Sequence, residues 1–181
     1  MAAAHSTTAQ VREDRAIYRA MKLLEGRLRK PGESLTNVST VRHFITLHLG
    51  RESREVFTAI WLDTQHRLIT VENLFFGTLR ETTVYPREVV RSGLLRNAAS
   101  VIFSHNHPSG VPNPSWADLK ITCALKSALE VVDIRAIDHF IVGGATAVSL
   151  VELGLFGLSD FPAPEEPSNR KTQSKKARAK R

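Results

Sequence analysis

Between Phe103 and Leu119 the chain reads FSHNHPSGVPNPSWADL. His105 and His107 are two residues apart, Ser115 stands eight residues after the second histidine, and Asp118 three after that. In extended chain, residues i and i+2 point to the same side, so the two imidazoles form a pair of nitrogen ligands. Catalytic zinc usually has three protein ligands and keeps a fourth position for water. Asp118 supplies the third if the loop folds a helix start back over the strand end, and the Pro and Gly residues of PSGVPNP suit a fixed reversal. A structural explanation competes at each position. Ser-x-x-Asp at a helix start is a capping arrangement, with the Ser oxygen accepting a backbone N–H, and an aspartate in the first turn suits the positive helix end. A His-x-His pair taken alone also occurs by chance in polar loops. The joint spacing of His, His, Ser and Asp is the more specific signal.

These residues need a strand before them and a helix after them. SVIFS, from Ser100, reads as a short buried strand running into the histidines, and Pro114 to Val132 as a helix with Ile121, Leu125, Leu129 and Val132 on its inner face. Upstream, Asp14 to Leu28 places Ile17, Met21, Leu24 and Leu28 at helical spacing, and KPGES breaks the pattern. A second helix is expected from Val38 to Leu49, with Gly50 as its stop. EVFTAIWLD is a buried strand by its β-branched and aromatic content, TQHR turns the chain, and LITVENLFFGT returns as its partner. YPREVVRSGLLRNA is a helix opened by Pro86, which suits the first helical position. IRAIDHFIV, a GG turn and ATAVSL make a closing hairpin. Strands and helices intermix, with a hairpin near each end, so the expected class is α/β in the broad sense (α+β): a mixed central sheet flanked by helices.

Composition bounds the function classes. The chain has 181 residues, enough for one domain with appendages, and 42% hydrophobic residues, an ordinary core content. No apolar run approaches the roughly 20 residues of a membrane helix. MAAAHSTTAQVRED lacks the basic start and apolar stretch of a secretory signal. A single cysteine, Cys123, excludes an internal disulfide and fits a reducing compartment. The expected location is therefore the cytoplasm. The formal charge of +7 has one source: from Ser168 onward the chain holds seven Lys or Arg and no acid, which leaves 18 basic against 18 acidic residues before it. Residues 159–181 are expected to be a linker and a disordered basic tail with weak, salt-sensitive affinity for nucleic acid. A merely solubilising tail is an equal alternative.

The histidine loop looks like the metal-binding signature of the JAMM/MPN zinc metalloprotease superfamily, and REVF, YPREVV, SHNHPSG, Ser-x-x-Asp and DHFIVGG together resemble RadC-like proteins of that superfamily. The likeness runs from about Val38 to Leu158, with the motifs in order, behind an amino-terminal helical arm over residues 1–35. It implies a JAMM-type, cytidine-deaminase-like fold with a zinc site at one edge of the sheet. By carry-over, one zinc ion per chain is held by His105, His107 and Asp118. Ser115 hydrogen-bonds the water or the developing oxyanion, and Glu55, at the start of an apolar strand, is the general base. Zinc in such a site brings the pKa of water toward ~7. The implied activity is a metallopeptidase acting on a peptide or isopeptide bond of an unidentified protein. The alternatives are a non-catalytic zinc-binding interaction module, or a DNA-metabolism accessory tethered by the basic tail. The thirty-five or so residues before the match lack the glycine-bearing helical hairpin of many RadC-like proteins, which weakens an inherited DNA role.

Other residues have expected places. Asp138 and His139 belong to a buried strand, in a hydrogen-bonded role supporting the ligands. Asn106, between the two ligands, should point away from the metal and tie the loop to backbone. Cys123 belongs to core packing. Trp116 is expected near the site mouth, either touching substrate or packing a lid. Glu52 and Glu72 are poorer bases than Glu55, since one precedes the strand and the other lies in its partner.

Overall fold

The structure is a computed structural model that describes residues 7–29, 37–77 and 83–158. Its elements run α1 (Thr8–Leu28), α2 (Val38–Leu49), β1 (Val56–Leu62), β2 (Leu68–Phe76), α3 (Pro86–Leu95), β3 (Ser100–Asn106), α4 (Trp116–Glu130), β4 (Arg135–Gly143) and β5 (Thr146–Ser149). The five strands form one sheet in the order β2-β1-β3-β4-β5. All neighbours are antiparallel except β3 and β4, which are parallel and joined by α4. The mixed sheet flanked by helices is the class expected. The linker and basic tail lie outside the described residues.

Local chemistry sets the ends of these elements. α1 begins earlier than its apolar stripe suggested, because Thr7 and Gln10 form a reciprocal capping box. Its stripe of Ile17, Met21 and Leu24 is half-buried. Arg51 fixes the arm's other side through Glu13 and Asp14. Pro86 opens α3 as its first residue. The β1–β2 turn passes through His66 at φ 57°, closed by backbone N–H groups of Gln65 and Arg67 donating to the Asp63 carboxylate.

The sheet divides two apolar layers. On one face α2 contributes Val41, Phe44, Ile45 and Leu49, packed on Val56, Ile60, Ile102, Phe140 and Val142. On the other, Leu125 and Leu129 of α4 and Val89 of α3 cover Phe57, Trp61, Val101 and Phe103. Each such fully buried side chain contributes roughly 1.5–3 kcal/mol. β1 and β3 are buried along their whole length, since both faces are covered. Glu72 ties β2 to α3, accepting hydrogen bonds from Trp61 Nε1 and Ser92 Oγ and pairing with Arg96.

Candidate metal centre

β3 is the central strand, and its carboxyl end is where three elements meet. β3 and β4 run parallel, so α4 must return the chain across the sheet, and its first turn passes beside the end of β3. β1 runs antiparallel to β3, so the start of β1 lies beside that same end. Phe57 faces His105 in this register, and Glu55 stands two residues before Phe57, at the approach to β1. Glu55 is half-buried there, and its charge acts on the His107 ring.

His105, His107 and Asp118 each direct one ligand atom into a common space. His105 Nε2 lies 3.0 Å from His107 Nε2 and 3.1 Å from Asp118 Oδ1, and His107 Nε2 is 3.4 Å from Asp118 Oδ2. A tetrahedral ion with ligand bonds of about 2.0–2.1 Å needs ligand atoms about 3.3–3.4 Å apart. The donor set fits as well as the spacing. Two imidazole lone pairs and a carboxylate oxygen converge here, an arrangement that a cation stabilises. Two imidazoles and one carboxylate could hold a metal ion, a donor set consistent with a JAMM zinc site.

Loop contacts hold the ligands in that orientation. His107 Nδ1 is 2.9 Å from the carbonyl of Val111, which can only accept, so Nδ1 carries the proton and the Nε2 lone pair faces the site. The His107 N–H donates to Val142 O, and the Pro-rich loop lies across the end of β4 at Gly143. A Cβ on Gly143 would come within 2.6 Å of both Gly110 O and Pro112 N, so the loop can sit there only over a glycine. Asp118 is fixed by the capping box of α4. Its Oδ2 accepts from the Ser115 N–H and Ser115 Oγ, each at 2.7 Å, while Ser115 Oγ accepts from the Asp118 N–H. The capping explanation and the ligand explanation therefore describe one geometry: the cap holds the carboxylate with Oδ1 toward His105 and Oδ2 toward His107.

Electrostatics follows from this crowding. In the metal-free protein burial by itself would raise the Asp118 pKa, but protons shared with the His105 and His107 rings, standing where a cation would, override it and hold the carboxyl far below the usual range. His107 is raised above its ordinary value by its hydrogen bond to Asp118, with burial opposing. His139 is completely buried, and desolvation, aided by the neighbouring His105, pushes it well below the usual imidazole value.

Asn106 points to the opposite face, as alternation requires. Its Oδ1 accepts from the Val56 N–H at 2.8 Å, and its Nδ2 donates to the carbonyls of Arg54 and Glu52 at 2.9 and 3.2 Å. It clamps the segment that carries Glu55. Trp116 is partly exposed at the start of α4 under the Lys120 ammonium. Asp138 faces away from the ligands and accepts from Ser149 Oγ and the N–H groups of His139 and Val151; burial raises its pKa. Cys123 is only half-buried, with its Sγ toward Leu158 O rather than within the core. Sequence reading did not single out Thr122, Gly143 or the Val111 carbonyl. Of these only Thr122 carried a signal, four residues after Asp118 and so on the same helix face.

Residues 35–155 match the family model described as the RadC-like JAB domain. The chain belongs to the RadC-like JAB domain family. That family lies within the JAB/MPN superfamily. A UPF0758 protein of Polaromonas sp. is 56% identical over 115 residues, 64% of this chain and 51% of that one. A UPF0758 protein of Nitrosomonas eutropha is 49% identical over 126 residues, 70% of this chain and 56% of that one. One from Marinobacter nauticus is 47% identical over 140 residues, covering 77% and 62%. The chain thus spans about half the length of the curated relatives it matches. The family is coarsely consistent with a hydrolase. No described helix is long and apolar enough to cross a membrane.

Proposed function

We propose that this RadC-like domain is a zinc-dependent metallopeptidase that hydrolyses a peptide or isopeptide bond. The observation that supports it is the convergence of one atom each from His105, His107 and Asp118, with the half-buried Glu55 just before β1 near enough for its charge to act on His107. His105, His107 and Asp118 would hold the zinc, which supplies acidification of water and polarisation of the scissile carbonyl. Glu55 accepts the proton lost by the attacking water and delivers it to the nitrogen of the departing amine as the C–N bond breaks. Ser115 is the hydroxyl that caps α4 beside Asp118. Its single proton is directed at Asp118 Oδ2, so stabilising an oxyanion requires it to exchange that hydrogen bond for one to substrate. The substrate protein binds outside the buried ligands, on the side where Trp116 and Val111 are exposed. The basic tail would add a weak, salt-sensitive nucleic-acid contact.

The test pairs metal analysis with turnover. Purified chain should contain one zinc, lost in His107→Ala and retained in Glu55→Gln. Glu55→Gln should lower hydrolysis of peptide and isopeptide reporters by roughly 10²–10⁴. Hydrolysis at the wild-type rate in that variant would remove Glu55 from the role of base. Zinc binding without turnover by the wild-type chain on any such reporter would favour an interaction module.

A further inference from the structure

Behind the ligands runs a buried chain of side chains that none of the steps above uses. Asp118 O, Thr122 Oγ1, His139 and His105 are linked in sequence: Thr122 Oγ1 to Asp118 O at 2.5 Å, Thr122 Oγ1 to His139 Nδ1 at 2.6 Å, and His139 Nε2 to His105 Nδ1 at 2.9 Å. Thr122 and His139 are buried, at 1% and 0% exposure, so water cannot substitute for any link. The rings of Phe57 and Phe103 both pack edge-on against His139.

The direction of the chain is set at its first link. A carbonyl oxygen has no proton, so at 2.5 Å the Thr122 hydroxyl must donate to Asp118 O; otherwise two oxygen lone pairs would oppose each other. Its lone pair then faces His139 Nδ1, which must carry the proton. Neutral His139 therefore has a bare Nε2, and it accepts from His105 Nδ1–H. His105 in turn is left with a lone pair on Nε2, the atom aimed at His107 and Asp118.

We propose that Thr122 and His139 are positioning residues that select the His105 tautomer competent to bind metal, with the relay anchored on the main-chain carbonyl of another ligand, Asp118. The relay joins the β3 ligand to the α4 ligand through β4, so the two cannot be oriented independently. Neither residue touches the metal position, and neither takes part in proton transfer to substrate. The inference rests on the metal site of the proposed function and not on its hydrolytic step.

The experiment uses the full chain with zinc ions alone, measured by competition with a chromophoric chelator, and with histidines labelled with nitrogen-15. In the zinc-loaded protein His139 should be the Nδ1–H tautomer, the minority form of free histidine. Thr122→Val, which preserves shape but deletes the hydroxyl, should weaken zinc binding by roughly 10–100-fold and abolish that tautomer signal. Thr122→Ser should restore both. Three results would overturn the relay while leaving the metal centre intact: His139 present as Nε2–H in zinc-loaded wild type, Thr122→Val binding zinc as tightly as wild type, or Thr122→Ser failing to rescue a weakened Thr122→Val. A wild-type chain that binds no zinc would overturn the centre and the relay together. The wild-type tautomer decides the question even if Thr122→Val does not fold.

Discussion

Two adjacent buried residues of β3, His105 and Ser104, treat their polar atoms in opposite ways. Toward α4 the strand presents His105, and every polar atom behind it is partnered, through His139 and Thr122 to the Asp118 carbonyl. Toward α2 it presents Ser104, in register with Thr58 and Phe140, whose hydroxyl finds no partner among the described residues although it is 0% exposed. Ser100, on the same strand, is also left without one. Burying a polar group costs free energy unless a hydrogen bond compensates. The arrangement around His105 is therefore specific, whereas Ser100 and Ser104 are small hydroxyls tolerated without partners on a face where Asn106 and Thr58 do have theirs. Adjacent residues, equally buried, should respond quite differently to substitution.

The largest contrast is expected from His105→Ala. It should abolish stoichiometric zinc binding and, by stranding His139 Nε2 without a donor, destabilise the metal-free fold by about 1–3 kcal/mol in urea unfolding. If zinc stoichiometry survived, the surroundings of His105 would be ordinary core. Asn106→Ala comes next and separates the clamp from the ligands. Removing the acceptor for the buried Val56 N–H should cost about 1–3 kcal/mol, with zinc affinity near wild type because Asn106 points away from the ligands. A large loss of zinc affinity would mean the two faces are not independent.

Acidity offers a subtler measure. In the metal-free protein His107 is raised, so its pairing with Asp118 stabilises the fold fully below the unfolded imidazole value of about 6.5 and is lost as pH rises through the folded value. The depressed Asp118 contributes above about pH 4 and loses its contribution only as the carboxylate is protonated at much lower pH. Protons and zinc compete for His107, so the rise in Tm on adding zinc should be larger at pH 8 than at pH 6. A zinc shift independent of pH would place the ion elsewhere. The smallest effect is reserved for Ser104→Ala, which should change stability by less than about 1 kcal/mol, toward stabilisation, because no hydrogen bond is lost. A loss of several kcal/mol there would show that the Ser104 hydroxyl has a hydrogen-bond partner after all.

Much of this architecture was legible along the chain. Val38–Leu49 and Pro86–Leu95 were readable because an apolar stripe, a cap or a proline states its own boundary within a few residues. The clustering of His105, His107 and Asp118 was legible because the motif spans only Phe103 to Leu119. The start of α1 was missed by several residues, since the capping box of Thr7 and Gln10 precedes the apolar stripe. The half-buried state of Cys123 was missed because its helical position is near the apolar face, and only the segment ending at Leu158 determines what covers it.

Local rules thus determined which segments are strands and helices and which residue types could bind a metal, for periodicity and capping are short-range properties. Convergence was decided elsewhere. The antiparallel β1–β3 register, the parallel β3–β4 pair and the crossover of α4 bring Phe57, His139 and Thr122 to the surroundings of His105 from 48, 34 and 17 residues away. Tautomer and orientation depend on which donor meets which acceptor across those separations. That pairing exists only once the sheet has closed, because no hydrogen bond between residues so distant is specified by the chain between them.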